Sequence, residues 1–285
     1  MRRASTESQE NGFALILVLW SVALLGLIAA SFATGVRSNA LIARNAVENA
    51  AARALADGGV VLAIAGLLDP DGPNAWHPDS MPRSLEMQTG RIRVTIADEG
   101  GKIDLNAETG PLVADLLRWL GLAPPDALAL TREIAGFRAA GDGNGAAPVA
   151  PRFASVAELT RVPGMTPALF ARMEPFVTVH SGETTLNVQT APGALLEALT
   201  GADPVAIEAF VATRRDRDAG PEDIPPGPLD GEDRFDVADV RAVTVTSRGE
   251  TPGGGRFQRE AVVVLEPAAR SDAEFRILSW TQRFD

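Results

Sequence analysis

The stretch FALILVLWSVALLGLIAASFA, residues 13–33, decides the kind of fold that this chain adopts. It contains no charged side chain, and at about 1.5 Å rise per residue a helix of this length crosses the roughly 30 Å hydrocarbon layer of a membrane. A secretory signal peptide is the competing interpretation, because residues 31–33 (SFA) resemble a cleavage site, but the apolar core of such a peptide is only about 7–15 residues long. The stretch therefore predicts a transmembrane helix, whose orientation stays open because arginines flank it on both sides.

The leader MRRASTESQENG, residues 1–12, ends in Gly12, and the apolar run begins directly with Phe13. This junction resembles a prepilin signal. In proteins with that signal a peptidase cuts between the glycine and the phenylalanine, and the new amino-terminal residue is methylated. Because the cut lies before the apolar run, the helix stays on the mature protein as an assembly element. Taken by itself, Gly12 could equally end a flexible leader, with Phe13 in an interfacial aromatic belt.

The helix is predicted to continue beyond the membrane. Residues 37–68 are rich in alanine, lack proline and place apolar side chains mostly at steps of three and four. The pair Gly58 and Gly59 weakens the middle of this segment by about 1 kcal/mol per glycine, and residues 69–73 (DPDGP) end it. One amino-terminal helix, half in lipid and half under a globular head, is the architecture of pilin-like proteins.

The composition excludes several classes of function. The chain of 285 residues carries 26 Lys and Arg against 37 Asp and Glu, a net charge of −11, and Lys102 is its only lysine. This excess of negative charge disfavours sequence-independent binding to nucleic-acid phosphates. With no cysteine and two histidines, disulfides, thiolate zinc sites and multi-histidine metal centres are excluded. No nucleophile elbow, phosphate-binding loop or zinc-protease motif is present, so we expect a protein that is not an enzyme.

The globular part has strand and helix patterns that predict an α+β fold, with an antiparallel sheet and a large helical insertion. The predicted strands are residues 91–97, 240–246, 257–265 and 275–280, and the predicted helices are residues 111–120 and 126–139. We divide the chain into a leader (1–12), the membrane part of the helix (13–34), its continuation (35–68), a linker with the first strand (69–106), the helical insertion (107–220) and the carboxy-terminal sheet (221–285).

Residues 155–173 predict helix, tight turn and helix, an arrangement that resembles a helix-hairpin-helix or SAM-like element. In hairpins that bind DNA, two glycines expose backbone N–H groups to a phosphate, and lysines add charge. Here Thr166 stands in place of the second glycine after Gly164, and no lysine lies near. Packing is therefore the favoured role. The alternative is nucleic-acid binding by a minor pilin of a related type IV-like or DNA-uptake filament.

Four segments in this order resemble the minor pseudopilin K family of the type II (general) secretion pathway. They are Gly12 and Phe13 with the apolar helix, residues 96–106 (IADEGGKIDLN), residues 153–166 (FASVAELTRVPGMT) and residues 185–192 (TLNVQTAP). The resemblance implies a non-enzymatic protein at the tip of a pseudopilus, which initiates its assembly and supports protein export across the outer membrane. It also implies a single-pass anchor in the bacterial inner membrane, with a cytoplasmic leader and a periplasmic head. The implied partners are pseudopilins I and J, other pseudopilins, the prepilin peptidase and the inner-membrane secretion platform, and not nucleic acid.

Leu17 acquires a meaning from this resemblance, because it is the fifth residue counted from Phe13. Most pilins and pseudopilins carry a glutamate there, whose carboxylate neutralises the terminal ammonium of the neighbouring subunit above it. A tip subunit has no neighbour above it and gains nothing from such an acid. Leu17 therefore predicts a chain that starts assembly and does not extend an existing fibre. Outside the family context, leucine is simply the commonest residue of a membrane helix.

Calcium is the one cofactor that the resemblance suggests, because some relatives bind it in the insertion. Asp142 and Asn144 are the candidate ligands, in a loop that lacks the acidic motif common in the family. Calcium takes six to eight oxygen ligands, so these two side chains are too few by themselves. Residues 216–239 offer further carboxylates, and a solvated acidic loop is the alternative interpretation of that segment.

Overall fold

The structure is a computed structural model of the chain. It describes residues 7–69, 72–73, 75–107, 110–139, 153–214, 221–225, 227, 232–265 and 275–283, with the backbone alone at residues 7–14, 32–38, 139, 221 and 232. The described α-helices are α1 (Glu7–Leu68), α2 (Gly110–Trp119), α3 (Pro124–Ala139), α4 (Pro167–Met173), α5 (Gly193–Thr200) and α6 (Pro204–Thr213). The described strands are β1 (Arg83–Met87), β2 (Gly90–Asp98), β3 (Ile103–Asp104), β4 (Val177–Thr178), β5 (Leu186–Asn187), β6 (Phe235–Asp236), β7 (Ala242–Glu250), β8 (Arg256–Leu265) and β9 (Phe275–Arg283).

Five strands form one antiparallel sheet in the order β1-β2-β7-β8-β9. The carboxy-terminal half of α1 lies across one face of this sheet, over β2, β7 and β8. Alternate residues of these strands are apolar and point at the helix, so this face of the sheet is dry. The buried contacts join Val60, Ala63 and Ile64 of the helix to Ile92, Val94, Ile96, Val243, Val245, Ala261 and Val263 of the strands.

Gly59 sets how closely α1 approaches the sheet. A Cβ atom at this position would collide with Ser247 Oγ and would lie 2.6 Å from Ile92 Cγ2. At the neighbouring Gly58, a Cβ atom would meet nothing within 4 Å. The sequence predicted only that this pair weakens the helix, whereas the structure shows that Gly59 also permits close helix–sheet packing.

A second hydrophobic core belongs to the helical insertion, which lies between β2 and β7 in the chain. Helix α2 packs against both α3 and α5, and α5 packs against α6. The largest fully buried side chains of this core are Ile103, Leu105, Leu116, Leu117, Leu159, Met173, Leu186, Leu195, Leu196 and Leu199. Two short parallel ladders, β3 with β4 and β5 with β6, run along the insertion.

Described residues of the segment before β7 contact this insertion. Strand β6 pairs with β5, and Ile224 packs against the core of the insertion. Arg234 forms an ion pair with Asp115 of α2, whose carboxylate is buried and needs a cation close by. The sheet itself resumes at Ala242.

The four strands predicted from the sequence are present as β2, β7, β8 and β9, and the two predicted helices are present as α2 and α3. Strand β1 was not predicted. Its sequence, RSLEM, is short, polar at three of its residues and only partly buried. It forms a strand because β2 offers an edge to pair with, and Leu85 then lies opposite Ile92.

Candidate assembly surfaces and the head junction

The stretch Leu15–Ser31 of α1 presents its side chains outward on every side. Each side chain from Leu15 to Ser31 is exposed, including the bulky Trp20. Ser21 donates its hydroxyl hydrogen to the carbonyl oxygen of Leu17 at 2.8 Å, so this polar group is satisfied within the helix. An uncharged apolar helix of this kind suits a lipid environment.

Length and composition also single out the residues Asn39–Leu68 of α1 as able to cross a membrane. Nearly half of the most apolar window in that segment is buried inside the protein. Val60 and Ile64 lie there and pack on the sheet. We therefore assign Asn39–Leu68 to the head, which leaves Leu15–Ser31 as the stretch compatible with a membrane anchor.

The sequence-predicted site residues fall in different places. Gly12 and Phe13 lie within α1, where only the backbone is described, so cleavage and methylation stay predictions. Leu17 is 56% exposed on the apolar run. Asp142 and Asn144 lie outside the described residues, so their role in calcium binding stays a prediction as well. Within the described ranges, no group of three or more His, Cys, Asp or Glu side chains is placed to hold a metal ion.

The head-bound half of α1 is also apolar on the side that faces away from the sheet. Asp57 of this half faces the sheet side, where it pairs with Arg259 at 2.6 Å. The outward side, which we call the α1 back, is formed by Val47, Ala50, Ala54, Gly58, Val61, Leu62 and Ala65. Val47 is 68% exposed and Val61 is 61% exposed. A helix at a free protein surface normally presents a polar face to water, so this back is typical of a helix that another protein covers.

A buried polar cluster joins the sheet to the insertion at the end of β2. Asp98, the last residue of β2, accepts hydrogen bonds from the amide of Asn187 at 3.0 Å and from the hydroxyl of Thr190 at 2.7 Å. It also caps the following turn by accepting from the backbone N–H of Gly100 at 2.9 Å. Because Asn187 and Thr190 belong to the insertion, one carboxylate ties the two parts of the head together.

Glu99 makes a second connection in the same cluster. It accepts hydrogen bonds from Lys102 Nζ at 2.6 Å, from the Thr244 hydroxyl of β7 at 2.7 Å and from the Thr178 hydroxyl of β4. Burial acts to raise the pKa of Glu99, but the Lys102 cation and these hydrogen bonds outweigh it and hold the pKa below its usual range. Burial raises the pKa of Asp98 more than its hydrogen bonds lower it.

Two neighbouring carboxyls with opposite pKa shifts raise the question of catalysis. Both groups are nearly fully buried, and their oxygens bind groups of the fold itself. The cavity beside Asp98 has a volume of about 10 Å³, which is room for a single water molecule and not for a substrate. The cluster therefore has a structural role, because it holds the sheet and the insertion together. We call it the polar clasp.

Asn106 makes a third connection, between the segment after β3 and the return of the chain into the insertion. Its side-chain oxygen accepts from the backbone N–H of Phe153 at 2.7 Å, and its amide donates to the carbonyl oxygens of Phe153 at 3.0 Å and Val179 at 3.2 Å. The roles of Asp98, Glu99, Asn106 and Asn187 were not predicted from the sequence, although all four lie in the segments that resemble a known family. The available signal was a set of polar residues directly after buried strand residues.

The predicted hairpin is present but differs in its first helix. Residues 156–161 form a 3-10 helix, and α4 follows after a turn in which Gly164 has a φ of 87°. Thr166, which stands in place of a second glycine, caps α4 by accepting a hydrogen bond from the backbone N–H of Leu169 at 3.2 Å. Val162, Met165 and Leu169 are buried in the insertion core, so the element contributes to packing.

Together these features define a pilin-like α+β fold, with one long amino-terminal helix, an antiparallel sheet against its second half and a helical insertion between strands. No family model and no curated protein matches the sequence. Among solved structures, the chain is similar to a chain of the GspK-GspI-GspJ complex from the type 2 secretion system of enterotoxigenic Escherichia coli. The identity is 17%, the TM-score is 0.55, and the match covers 87% of this chain and 99% of that one. At this identity the likeness concerns the fold, and it confirms the pilin-like fold that the sequence predicted.

Proposed function

We propose that this chain is a K-type minor pseudopilin of a type II secretion pathway. In this account a prepilin peptidase cuts after Gly12, Phe13 is methylated, and residues 13–34 anchor the protein in the inner membrane. The head lies in the periplasm, where the chain joins pseudopilins I and J at the tip of the pseudopilus, initiates its assembly and supports protein export. The protein has no catalytic role of its own.

The observation that carries this proposal is the exposed apolar surface of α1. The stretch Leu15–Ser31 is exposed, uncharged and apolar, and the part of α1 that packs on the sheet is apolar on the α1 back as well as on the sheet face. A soluble monomer would leave both surfaces in water, at a cost of about 25 cal/mol for each Å² of apolar surface. Lipid around the first half and neighbouring helices along the α1 back would remove that cost. The fold shared with a chain of the GspK-GspI-GspJ complex supports partners of the same kind.

Cysteine crosslinking tests this proposal directly, because the natural chain contains no cysteine. Val47→Cys places a thiol on the α1 back, and the matched control Asn49→Cys places another exposed thiol about 200° around the helix. In membranes that also contain I-type and J-type pseudopilins with single cysteines in their amino-terminal helices, we expect crosslinked product from the Val47→Cys variant and little from the Asn49→Cys variant. Equal yields from the two variants, or none from either, would contradict the proposed assembly.

The role of Leu17 is tested by Leu17→Glu, at an exposed position of the apolar run. The acid costs about 2.5–3.5 kcal/mol on insertion scales when it enters the membrane without a partner. We expect this variant to be extracted from membranes more easily than the natural chain and to form less tip complex. A Leu17→Glu protein with unchanged extraction and unchanged tip-complex formation would refute the idea that Leu17 suits a first subunit.

A further inference from the structure

Strand β9 carries an apolar row that the head leaves uncovered. The pairing with β8 places Phe275, Ile277 and Trp280 on the same face as Ala261 and Val263, which are fully buried. On β9 the three side chains remain between 36% and 42% exposed. Residues on the opposite face of the strand, such as Ser279 and Thr281, are polar. We call the apolar row the β9 ledge; it continues the core of the head beyond the edge of α1.

The spacing of the sheet indicates what fits on this ledge. Helix α1 lies over β2, β7 and β8, and therefore centres near β7. Strands are about 4.8 Å apart, so β9 lies about 9.6 Å from β7, and packed helices lie about 8–10 Å apart. A second helix in contact with α1 on this side would therefore lie directly over β9. The flank of α1 toward β8 carries Arg53 and Asp57, which pair with each other, and Asp57 also pairs with Arg259 of β8. Beyond this pair the exposed surface of the helix is apolar at Ala54 and Val61.

The outer edge of β9 disfavours the main competing occupant, an added strand. Val262 pairs with Ser279 and Val263 pairs with Ile277, which leaves Leu278 as the extra residue of a bulge. Arg276 and Arg283 lie toward the two ends of the strand. Bulges and charged side chains are the features by which sheet edges avoid pairing with other strands. The ledge is thus apolar on its face and protected at its edge.

The ring of Trp280 is held in a fixed position by a neighbouring side chain. Its ring lies 5.1 Å from the guanidinium carbon of Arg259, which is 4% exposed and is itself fixed by the ion pair with Asp57. An aromatic side chain that is partly exposed and already fixed loses little entropy on binding, which is typical of interface anchors.

Two copies of this chain that share one membrane cannot pair through their β9 edges. Antiparallel pairing of β9 with the β9 of another copy requires a two-fold axis perpendicular to the sheet. That axis would reverse the direction of the second α1, while two copies anchored in one membrane need parallel helices. A helix of a different subunit, anchored in the same membrane, meets no such conflict.

We infer that the β9 ledge and the adjoining flank of α1 seat the apolar face of a helix from another membrane-anchored pilin-like subunit, laid parallel to α1. This inference rests on the proposed function and adds the surface on which the neighbouring subunit docks. In this arrangement Phe275, Ile277 and Trp280 contact the docked helix of the neighbouring subunit.

Two neighbouring residues of β9 provide a matched test. Gln282 lies on the ledge face and Thr281 on the opposite face, and both are exposed. Gln282→Cys and Thr281→Cys would be produced in the full-length chain with I-type and J-type pseudopilins that carry single cysteines in their amino-terminal helices. With a bis-maleimide crosslinker we expect product from the Gln282→Cys variant and none from the Thr281→Cys variant.

A charge on the ledge should block the contact. Ile277→Glu would bury an unpaired carboxylate under the docked helix and, when combined with Gln282→Cys, should lower the yield of crosslinked product about tenfold or more. Ser279→Glu in the same background, on the opposite face, should leave that yield unchanged. Circular-dichroism melts of both variants would show that the head is folded.

Each other outcome would overturn the inference. Product between two copies of the Gln282→Cys variant would mean that a second copy binds, and crosslinks to a strand of the partner would mean strand addition. Product from the Val47→Cys variant without product from the Gln282→Cys variant would refute the β9 ledge and leave the proposed function intact. Loss of product from both variants would refute the two together.

Discussion

Gly59 provides the sharpest test of the packing described here. Replacing Gly59 by alanine adds a Cβ atom that would collide with Ser247 Oγ and lie 2.6 Å from Ile92 Cγ2 and 3.1 Å from Val94 Cγ2. These groups lie on two neighbouring strands, β2 and β7, so no single side chain can move aside to make room. Overpacking of this kind costs about 1–3 kcal/mol, and contact with two strands places Gly59→Ala near the upper limit. Alanine gains about 1 kcal/mol in helix propensity, so the net loss should be about 2 kcal/mol.

Gly58→Ala is the matched control, because the same helix gains the same methyl group where nothing lies within 4 Å. We expect it to stabilise the protein by about 0.4–1 kcal/mol. For a folded unit of this size, 1 kcal/mol corresponds to about 2–4 °C in melting temperature. Circular-dichroism melts of the full-length chain in mild detergent should therefore place Gly59→Ala about 4–8 °C below the natural chain and Gly58→Ala slightly above it. Equal melting temperatures for the two variants would refute the argument that Gly59 sets the helix–sheet distance.

Lys102→Met should raise the pKa of Glu99, because it removes the cation that stabilises the carboxylate. Because the pKa of Glu99 is lower in the folded protein than the unfolded value of about 4.3, this carboxylate stabilises the fold above that pH, and the stabilisation is lost as the pH falls through the folded pKa. The melting temperature of the variant should therefore fall further below that of the natural chain at pH 7 than at pH 3. An equal difference at both pH values would contradict this. Asn106→Ala leaves the buried backbone groups of Phe153 without partners and should cost about 2–4 kcal/mol in urea unfolding. Thr160→Ala, at an exposed hydroxyl, should cost less than about 0.5 kcal/mol, and a similar cost for both variants would contradict the role of Asn106.

The sequence predicted those parts of the fold whose signal is local. The continuous helix α1 follows from an apolar run and an alanine-rich segment without proline, and β2, β7, β8 and β9 follow from alternation or from apolar runs between turns. The role of Gly59 could not be predicted, since it depends on strands that are distant in the chain. For the same reason β1 was missed, because it becomes a strand only by pairing with β2.

The polar clasp could not be predicted from the sequence either, because it also joins residues that are distant in the chain. Asp98 and Asn187 are 89 residues apart in the sequence, and their hydrogen bond requires the insertion to fold back onto the end of β2. No periodicity in either segment indicates that pairing. The α1 back is easier to predict from the sequence, because a helix with few charges through residues 47–68 can be recognised from composition alone.

The mature amino terminus tests the central claim most directly. In the proposed assembly, α1 stays attached to the head after removal of residues 1–12, so that an uncut apolar helix can join similar helices of neighbouring subunits. Mass spectrometry of the protein isolated from membranes should find a chain that begins with N-methylated Phe13. A chain that begins at Thr34, which is the product expected of ordinary signal peptidase, or one that retains Met1 and the whole leader, would contradict the account.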